Sequence, residues 1–310
     1  MFEYSKTPGH KSSRAADTGK VRYFSADFFH DSGMPLAVNY NAVQLEHVFH
    51  DHDFTELVIV TNGHGWHGTR SDEYIIQTGD AFVIHPEEKH SYRDTEGLTL
   101  YNVPFDMGQL HFPMLDLKRH PGYRALFALE PRLRTSHGFK SRLKLSPAQL
   151  AVAVNLLAEI ARELKEKRAG FQSMAAAFFL QTVGHLSRCY AHIDDPKPRE
   201  LLRLGVVLDH LESSLDQPVR LEELARMAGM SKSSFQRAFR RTLDSSPVDY
   251  WIRLRIQKAC EVLASGSVQV KEAAMVAGFD DSNYFTRQFR RVLGISPRDY
   301  ARSVVRQKPR

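Results

Sequence analysis

The sequence predicts two domains of different class, a β-rich N-terminal domain built as a sandwich or barrel and an all-helical C-terminal domain. Three observations lead there. Short runs rich in β-branched and aromatic residues, separated by turn chemistry, fill about 21–140. After about 145 the apolar period becomes helical. The last third contains an internal repeat, "AGMSKSSFQRAFRRTLDSSPVDY" (228–250) against "AGFDDSNYFTRQFRRVLGISPRDY" (277–300). Two copies are too few for a solenoid and make a tandem pair of small units.

Residues 1–20 are polar and rich in small side chains, and are expected to form a disordered arm. They contain no apolar core of a secretory leader, and no apolar run in the chain approaches the roughly 18 residues of a membrane span. A cytoplasmic protein without a membrane partner is therefore expected. Cys189 and Cys260 both lie in apolar helical patterns and read as buried thiols, not a disulfide framework.

The first domain is placed at 21–145. Its expected strands include "AVQLEHVFH", "TELVIV", "EYIIQ", "DAFVIH" and "LTLYNVPF", with turns at "TNGHG", "SDE", "TGD", "HPEEKH" and "DTEG". Ser146-Pro147 then opens a helix with an apolar face at Leu150, Val154, Leu157, Ile160, Ala161 and Leu164. Gly170 is expected to end it, and "FQSMAAAFFLQTVGHLSRCYAHI" reads as a second helix. The pair, 146–193, is a candidate dimerisation region. Residues 194–199, with two prolines among charges, read as a linker. Residues 200–303 form the second domain and 304–310 a basic tail.

Charge is unevenly placed. Residues 201–310 hold 19 Lys+Arg against 12 Asp+Glu, a balance of +7, while the whole chain is +6. The remaining 200 residues therefore sum to −1, and the excess positive charge belongs to the C-terminal domain. Such an asymmetry points to a polyanion as partner of that domain.

Each repeat has the grammar of a helix-turn-helix: a short amphipathic helix, a glycine (Gly229 or Gly278), a capping residue, and a second helix with an apolar seam. The seams are Phe235–Phe239–Leu243 and Phe285–Phe289–Leu293. On the opposite faces Ser233, Gln236 and Arg237, and Ser282, Asn283 and Arg287, are candidate base readers. Arginine can bond bidentately to guanine, and Asn or Gln to adenine. Arg240, Arg241, Arg290 and Arg291 lie further along and suit phosphates. The segment 247–266 between the units reads as one long helix that sets their separation. This arrangement, above all "AAMVAGFDDSNYFTRQFRRVLGISPRDYAR", resembles the DNA-binding domain of the AraC/XylS transcription regulators. The resemblance covers about 200–303. It implies seven helices, double-stranded promoter half-sites and RNA polymerase as partners, and usually activation. It also implies that the 146–193 helices make a homodimer; packing against the first domain within one chain is the alternative.

The stretch "HDHDFTELVIVTNG" sits in the β-rich domain. His50 and His52 are two apart on a strand and share a face. His50-x-His52-x3-Glu56-x6-Gly63 resembles the first cupin motif. Gly79 opens a second, partial one that ends at His90, with His85 where the pattern has proline and Glu87 where it has glycine. The resemblance implies a jelly-roll-like barrel with His50, His52, Glu56 and His90 as ligands of a divalent metal such as Zn, Ni, Fe or Mn. Three readings stay open: a metal with ligand access, a metal-free pocket for a polar effector, or histidines satisfied within a barrel mouth. A narrower similarity, over 45–92, is to the L-rhamnose-responsive regulators of the AraC/XylS family. It implies a sugar effector, with Trp66, Tyr92 and Phe82 as candidate aromatics, although each is more often core. His64, His67, His111, His120 and His137 receive no role. The expected function is an effector-responsive, non-enzymatic transcription regulator of a carbohydrate-related operon. The alternatives are a metal-dependent cupin enzyme fused to a DNA-binding domain, and a constitutive architectural protein.

Overall fold

The computed structural model describes residues 21–41, 47–70, 72–111, 113–137, 142–192, 196–264 and 268–307. The expected N-terminal arm, residues 1–20, lies outside them. The chain divides into two compact units, 1–202 and 203–310.

The first unit is built on one eight-stranded sheet. Its strands are β1 (Val21–Tyr23), β2 (Asn39–Asn41), β3 (His47–His52), β4 (Thr55–Thr69), β5 (Glu73–Gln77), β6 (Asp80–Ile84), β7 (His90–Phe105) and β8 (Leu143–Lys144). The sheet runs β1-β3-β7-β4-β6-β8, with β2 also on β7 and β5 also on β4. Among the described residues, only β1 with β3 is parallel. The long strands β4 and β7 pair with each other from Thr55↔Phe105 to Thr69↔His90 and carry all the rest. β6 occupies the first half of β4, at Glu56–Ile59, and β5 the second half, at His64–Gly68. Yet His67 lies against Phe82 of β6, ring centroids 5.0 Å apart. The sheet therefore rolls over on itself and encloses a barrel interior.

The roll has a local cause. Two segments that read as turns, "TNGHG" and "DTEG", are instead irregularities inside β4 and β7. The ladder shifts register between Val60 and Asn62, Asn62 and His64, and His64 and Trp66. Positive φ falls at Gly63 (71°), Asp94 (48°) and Gly97 (57°). A Cβ at Gly63 would stand 2.3 Å from the Gly97 carbonyl oxygen, so only glycine allows the strands to cross so closely. Turn residues facing one another across a ladder make bulges, and bulges bend strands.

One outer face of the sheet is covered by helices. Phe105 meets Phe179, ring centroids 5.0 Å apart, on α5 (Phe171–Ala191). The preceding helix α4 (Pro147–Glu166) is opened by a reciprocal capping box between Ser146 and Gln149. It ends on Lys167 in the left-handed region, and Gly170 caps the start of α5. Gly170 thus does not terminate α4 as the sequence suggested. Helices within 21–140 escaped the sequence reading: α1 (Ser25–Phe29), α2 (Pro121–Tyr123), a π-helical turn Arg124–Leu129, and α3 (Glu130–His137). Pro121 and Pro131 punctuate this stretch and mask its period, although Pro121 stands at a helix start, where proline is tolerated.

Seven helices follow among the described residues. They are α6 (Pro196–Ser213), α7 (Leu221–Met227), α8 (Lys232–Leu243), α9 (Pro247–Ala264), α10 (Val270–Val276), α11 (Ser282–Leu293) and α12 (Pro297–Gln307). Two boundaries differ from expectation. Residues 196–199 of the expected linker are already α6, and α12 runs into the expected basic tail, to Gln307. Residues 193–195 lie outside the described ones.

The repeat is exact in its aromatic packing. Phe235–Phe239–Tyr250 rings stand 5.6 and 5.7 Å apart, and Phe285–Phe289–Tyr300 rings 5.5 and 5.7 Å. The tyrosine is presented by a helix whose start is fixed by a Ser–Asp pair: the Ser246 hydroxyl accepts from the Asp249 N–H, and Ser296 from Asp299. Seam position Leu293 departs from the expectation: it is 41% exposed, against 9% for Leu243.

Gly278 turns α10 toward α11 at φ 83°, and a Cβ there would meet the Leu215 carbonyl oxygen at 2.6 Å and the Arg255 guanidinium at 2.8 Å. Gly294, φ 76°, has open space around it. Gly294→Ala is expected to cost only the left-handed backbone strain, about 1–2 kcal/mol. Gly278→Ala adds overpacking and should cost on the order of 3 kcal/mol or more. Urea denaturation followed by circular dichroism checks the order of the two.

Candidate effector site and nucleic-acid interface

The barrel interior has an apolar part and a polar end. Val58, Val60, Tyr74, Ile76, Phe82, Ile84, Tyr92, Leu98 and Leu100 form one buried cluster. On β4, Glu56 precedes Val58 and Val60 at strand period and shares their inward face. His50 and His52 come from β3, and His90 from the start of β7, where it is the register partner of His50. All four are buried.

A fifth polar group joins them. His67 is fully buried, and its ring lies 5.1 Å from those of Tyr74 and Tyr92 and 5.6 Å from that of His90. Strict alternation from Glu56 would put Trp66 inside and His67 outside. The bulge at Gly63 shifts that parity, because one extra residue exchanges the two faces of a strand. Trp66 is consequently only partly buried, on the outer side, with the Arg93 guanidinium 5.0 Å above its ring. Trp66 is removed from the interior set and His67, given no role from sequence, enters it. Tyr92 and Phe82 do face the interior.

Backbone carbonyls fix two of the imidazoles. His52 Nδ1 lies 2.7 Å from the Phe54 carbonyl oxygen, and His90 Nδ1 3.1 Å from that of Glu88. A carbonyl can only accept, so each Nδ1 carries its proton and donates, and each Nε2 of the neutral ring keeps a lone pair. Both Nε2 atoms are buried without a hydrogen-bond partner among the described residues. Both point at Glu56 Oε2, from 3.8 Å (His52) and 3.7 Å (His90), beyond hydrogen-bond reach. Burial pushes the Glu56 carboxyl up to about 8 and His52 down to about 4, against a smaller opposing effect of the Phe54 carbonyl. His90 is held well below the ordinary histidine value, first by burial and then by its histidine neighbours. The imidazoles are therefore neutral near pH 7.

The N-terminal strand closes this end. Tyr23 packs edge-on against His50, ring centroids 5.2 Å apart. Phe28 and Phe29 of α1 reach Phe54, which stacks flat on His52 at 4.3 Å. His50 turns its ring against that of His90, 4.1 Å away. Among the described residues, the His, Cys, Asp and Glu side chains whose ligand atoms all lie within 4.8 Å of one another are His52, Glu56 and His90. His50, expected as a fourth ligand, is not in that set.

In the second unit, Ser233, Gln236, Arg237, Arg240 and Arg241 on α8, and Ser282, Asn283, Arg287, Arg290 and Arg291 on α11, are all exposed. Ser231 caps α8 and Asp281 caps α11. Arg291 is engaged within the protein, 2.8 Å from Asp249 of α9. A cleft beside α11 is lined by Lys271, Arg290 and Arg298 together with Ser282, Thr286 and Ser296. Lys271 and Arg298 were not singled out in the sequence. The signal was a comparison of the copies: Glu222 and Val248 stand at the matching positions of the first unit.

The sheet-rich barrel and the two helix-turn-helix units that follow it in the chain each match a family model. "AraC-like ligand binding domain" matches residues 40–183 and "Helix-turn-helix domain" residues 224–303. The chain is 30% identical over 276 residues to the "HTH-type transcriptional activator RhaR" of Cronobacter sakazakii, covering 88% of this chain and 93% of that one. The chain belongs to the AraC family of transcription regulators. A protein of the same name from Klebsiella pneumoniae is 30% identical over 273 residues, 87% of this chain and 93% of that one. A solved structure, the DNA-binding domain of AdpA in complex with a target DNA, is 30% identical, covers 35% of this chain and 97% of that one, and has a TM-score of 0.33. As an AraC-family member the protein binds DNA through its C-terminal domain and carries a ligand-binding N-terminal domain. No described helix is long and apolar enough to cross a membrane.

The partial second motif of this AraC-family barrel folds despite its departures. His85, where proline was expected, sets its Nε2 2.9 Å from the Phe127 carbonyl oxygen in the π-helical turn. Glu87, where glycine was expected, sits at φ 66° and gives its N–H to the His52 carbonyl oxygen at 2.8 Å. Its side chain pairs with Arg22 at 2.6 Å, an exposed contact. Left-handed strain outweighs a solvated ion pair. Glu87→Gly is expected to raise the thermal midpoint of the full-length protein. A fall would show that the pair with Arg22 dominates.

Proposed function

We propose that the protein is a sugar-responsive transcription activator of a carbohydrate-related operon, with the effector bound in the barrel interior and L-rhamnose as first candidate. The observation that carries this reading is the convergence of buried His50, His52, Glu56, His67, His90 and Tyr92 inside the barrel, in a chain whose second unit carries two sets of exposed polar and basic side chains on α8 and α11. The Nε2 atoms of His52 and His90 are buried without a hydrogen-bond partner among the described residues, which is costly, and a polar effector supplies one. The motif resemblance over 45–92 and the relatives named RhaR support the sugar class. The same relatives, named transcriptional activators, support a regulator and not an enzyme, acting in the cytoplasm with RNA polymerase as partner. Exposed Val152 on α4 and Met174 on α5 support a homodimer through these helices, which sedimentation of the full chain reads directly.

Ser233, Gln236 and Arg237 on α8, and Ser282, Asn283 and Arg287 on α11, read base edges. Arg240, Arg241, Arg290 and Arg291 contact phosphate, and for Arg291 this requires exchanging its bond to Asp249. Lys271 and Arg298 extend the phosphate grip of the second unit. The two reading helices are joined by α9, unbroken over 18 residues and about 27 Å long, which suits successive major-groove segments.

Fluorescence anisotropy on a promoter duplex and a scrambled one tests both halves. L-Rhamnose is expected to change affinity for the promoter in the wild type, and Glu56→Ala to remove that response while leaving sugar-free DNA affinity in place. A response that survives Glu56→Ala would take this carboxylate out of the effector site. In the same assay Arg237→Ala and Arg287→Ala should each lose about 1–3 kcal/mol on the promoter and relax preference at one base position. Equal losses on both duplexes would reassign them to phosphates.

A further inference from the structure

We propose that Arg255 is a positioning residue for DNA recognition: its buried guanidinium clamps the loop that precedes the first helix-turn-helix to the turn of the second, and so fixes the spacing of α8 and α11. Its part in recognition rests on those two helices being the readers, as proposed above. The clamp itself does not depend on that reading.

The repeat shows where the clamp is needed. At an offset of 50, Arg253-Leu254-Arg255 of α9 matches Arg203-Leu204-Gly205 of α6, so α9 leads the second helix-turn-helix as α6 leads the first. The second copy therefore carries a guanidinium where the first has glycine. It also has a predecessor in the tandem to be tied to, and the guanidinium reaches that predecessor.

Arg255 is 7% exposed, and a buried cation is costly unless its surroundings compensate it. Three segments do so. Its Nε donates to the Leu215 carbonyl oxygen at 2.5 Å, in the loop between α6 and α7. Its guanidinium carbon lies 3.5 Å from the ring centroid of Trp251, one turn earlier on α9, and 5.3 Å from that of Phe279, in the turn between α10 and α11. Burial lowers the Arg255 pKa, and Asp280 and Asp216, one from each joined segment, oppose that. The planar guanidinium can stack on rings and still donate from its edge, which a lysine ammonium cannot do. Gly278 completes the fit, since a Cβ there would collide with both the guanidinium and the Leu215 carbonyl.

The tied turn controls α11. Phe279 and Asp280 lead directly into Asp281, the cap of that helix. On its other side α9 belongs to the second core, where Ile252, Ile256, Ala259 and Leu263 are buried with Phe279, Phe285 and Phe289. Leu215 belongs to the approach to α7, the first helix of the first helix-turn-helix. One base pair moves a contact about 3.4 Å along the duplex, so readers held at a fixed separation discriminate spacing as well as sequence.

The test uses the full-length protein and a duplex that the wild type selects from a random-sequence library, with versions that gain or lose one base pair between the two recognised segments. In fluorescence anisotropy the wild type is expected to lose roughly tenfold, the worth of one base contact, on either altered spacing. Arg255→Lys should bind the selected duplex more weakly and show little preference among the three spacings. Hydrogen exchange of Arg255→Lys should show residues 214–217 and 278–285 losing protection together, with α8 unchanged. Equal weakening on all three duplexes, with the spacing preference intact, is the mark of a merely structural role and overturns the proposal, as does unchanged protection in both segments. Wild type that binds the three spacings alike overturns it too, even where Arg255→Lys fails to fold. If that happens while Arg237→Ala and Arg287→Ala lose affinity on the selected duplex and not on a scrambled one, the base reading stands and the positioning role fails. If those two variants lose equally on both, the base reading fails, and hydrogen exchange alone decides the clamp.

Discussion

The sensor half of this protein depends on one interaction, the long antiparallel pairing of β4 with β7. Every other main strand of the sheet is attached to one of these two or to a strand that is. Two straight strands of this length would make a flat ribbon with both faces in water. The bulged crossing around Gly63, Asp94 and Gly97 bends both at the same level, so that β6 and β5, attached to opposite halves of β4, come to face each other. Backbone closeness comes first, and it requires glycine at 63, where a Cβ would collide with the opposing carbonyl. The interior follows from the bend, and the polar cluster follows from the interior.

The same bend explains what could be read in the sequence and what could not. His50, His52, Glu56 and His90 were legible because their spacings are local: two residues on a strand, then a carboxylate four on, then one hairpin. His67 was illegible because its inward face depends on a bulge that shifts strand parity, and "TNGHG" has the composition of a turn. Trp66 was misplaced for the same reason. The helical domain was legible almost throughout, since a duplicated pattern states each element twice: Ser246-Pro247 and Ser296-Pro297, Asp249-Tyr250 and Asp299-Tyr300, and the paired phenylalanines. Where the copies diverge the reading was weakest. Leu293 was expected to be as buried as Leu243 and is not, and the cationic lining from Lys271 and Arg298 has no counterpart in Glu222 and Val248.

That divergence has a functional sense. Phosphate contacts position a protein without reading sequence, and base contacts specify it. A unit with more cations around its reading helix holds the backbone more firmly. The first unit has an acid in place of Lys271 and an apolar residue in place of Arg298, so on the proposed assignment it depends more on what its helix reads. Asp249 and Arg291 link the start of α9 to the end of α11, so the two copies share one frame.

The polar end of the barrel supplies what a sensor needs, a difference in free energy between two states. A ligand shifts an equilibrium only by as much as its affinity differs between them. Two buried imidazole nitrogens without hydrogen-bond partners among the described residues each cost about 1–3 kcal/mol, so an occupant that satisfies both gains roughly 2–6 kcal/mol. At 1.4 kcal/mol per factor of ten, that is enough for about thirtyfold to ten-thousandfold. The groups that cover this end, Tyr23 on β1 and Phe28 and Phe29 on α1, touch His50 directly and His52 through Phe54. Anything that draws the imidazoles together must therefore move, or be held by, the segment where the described chain begins. The aromatic contacts between that segment and the histidines join the interior directly to the segment that covers it.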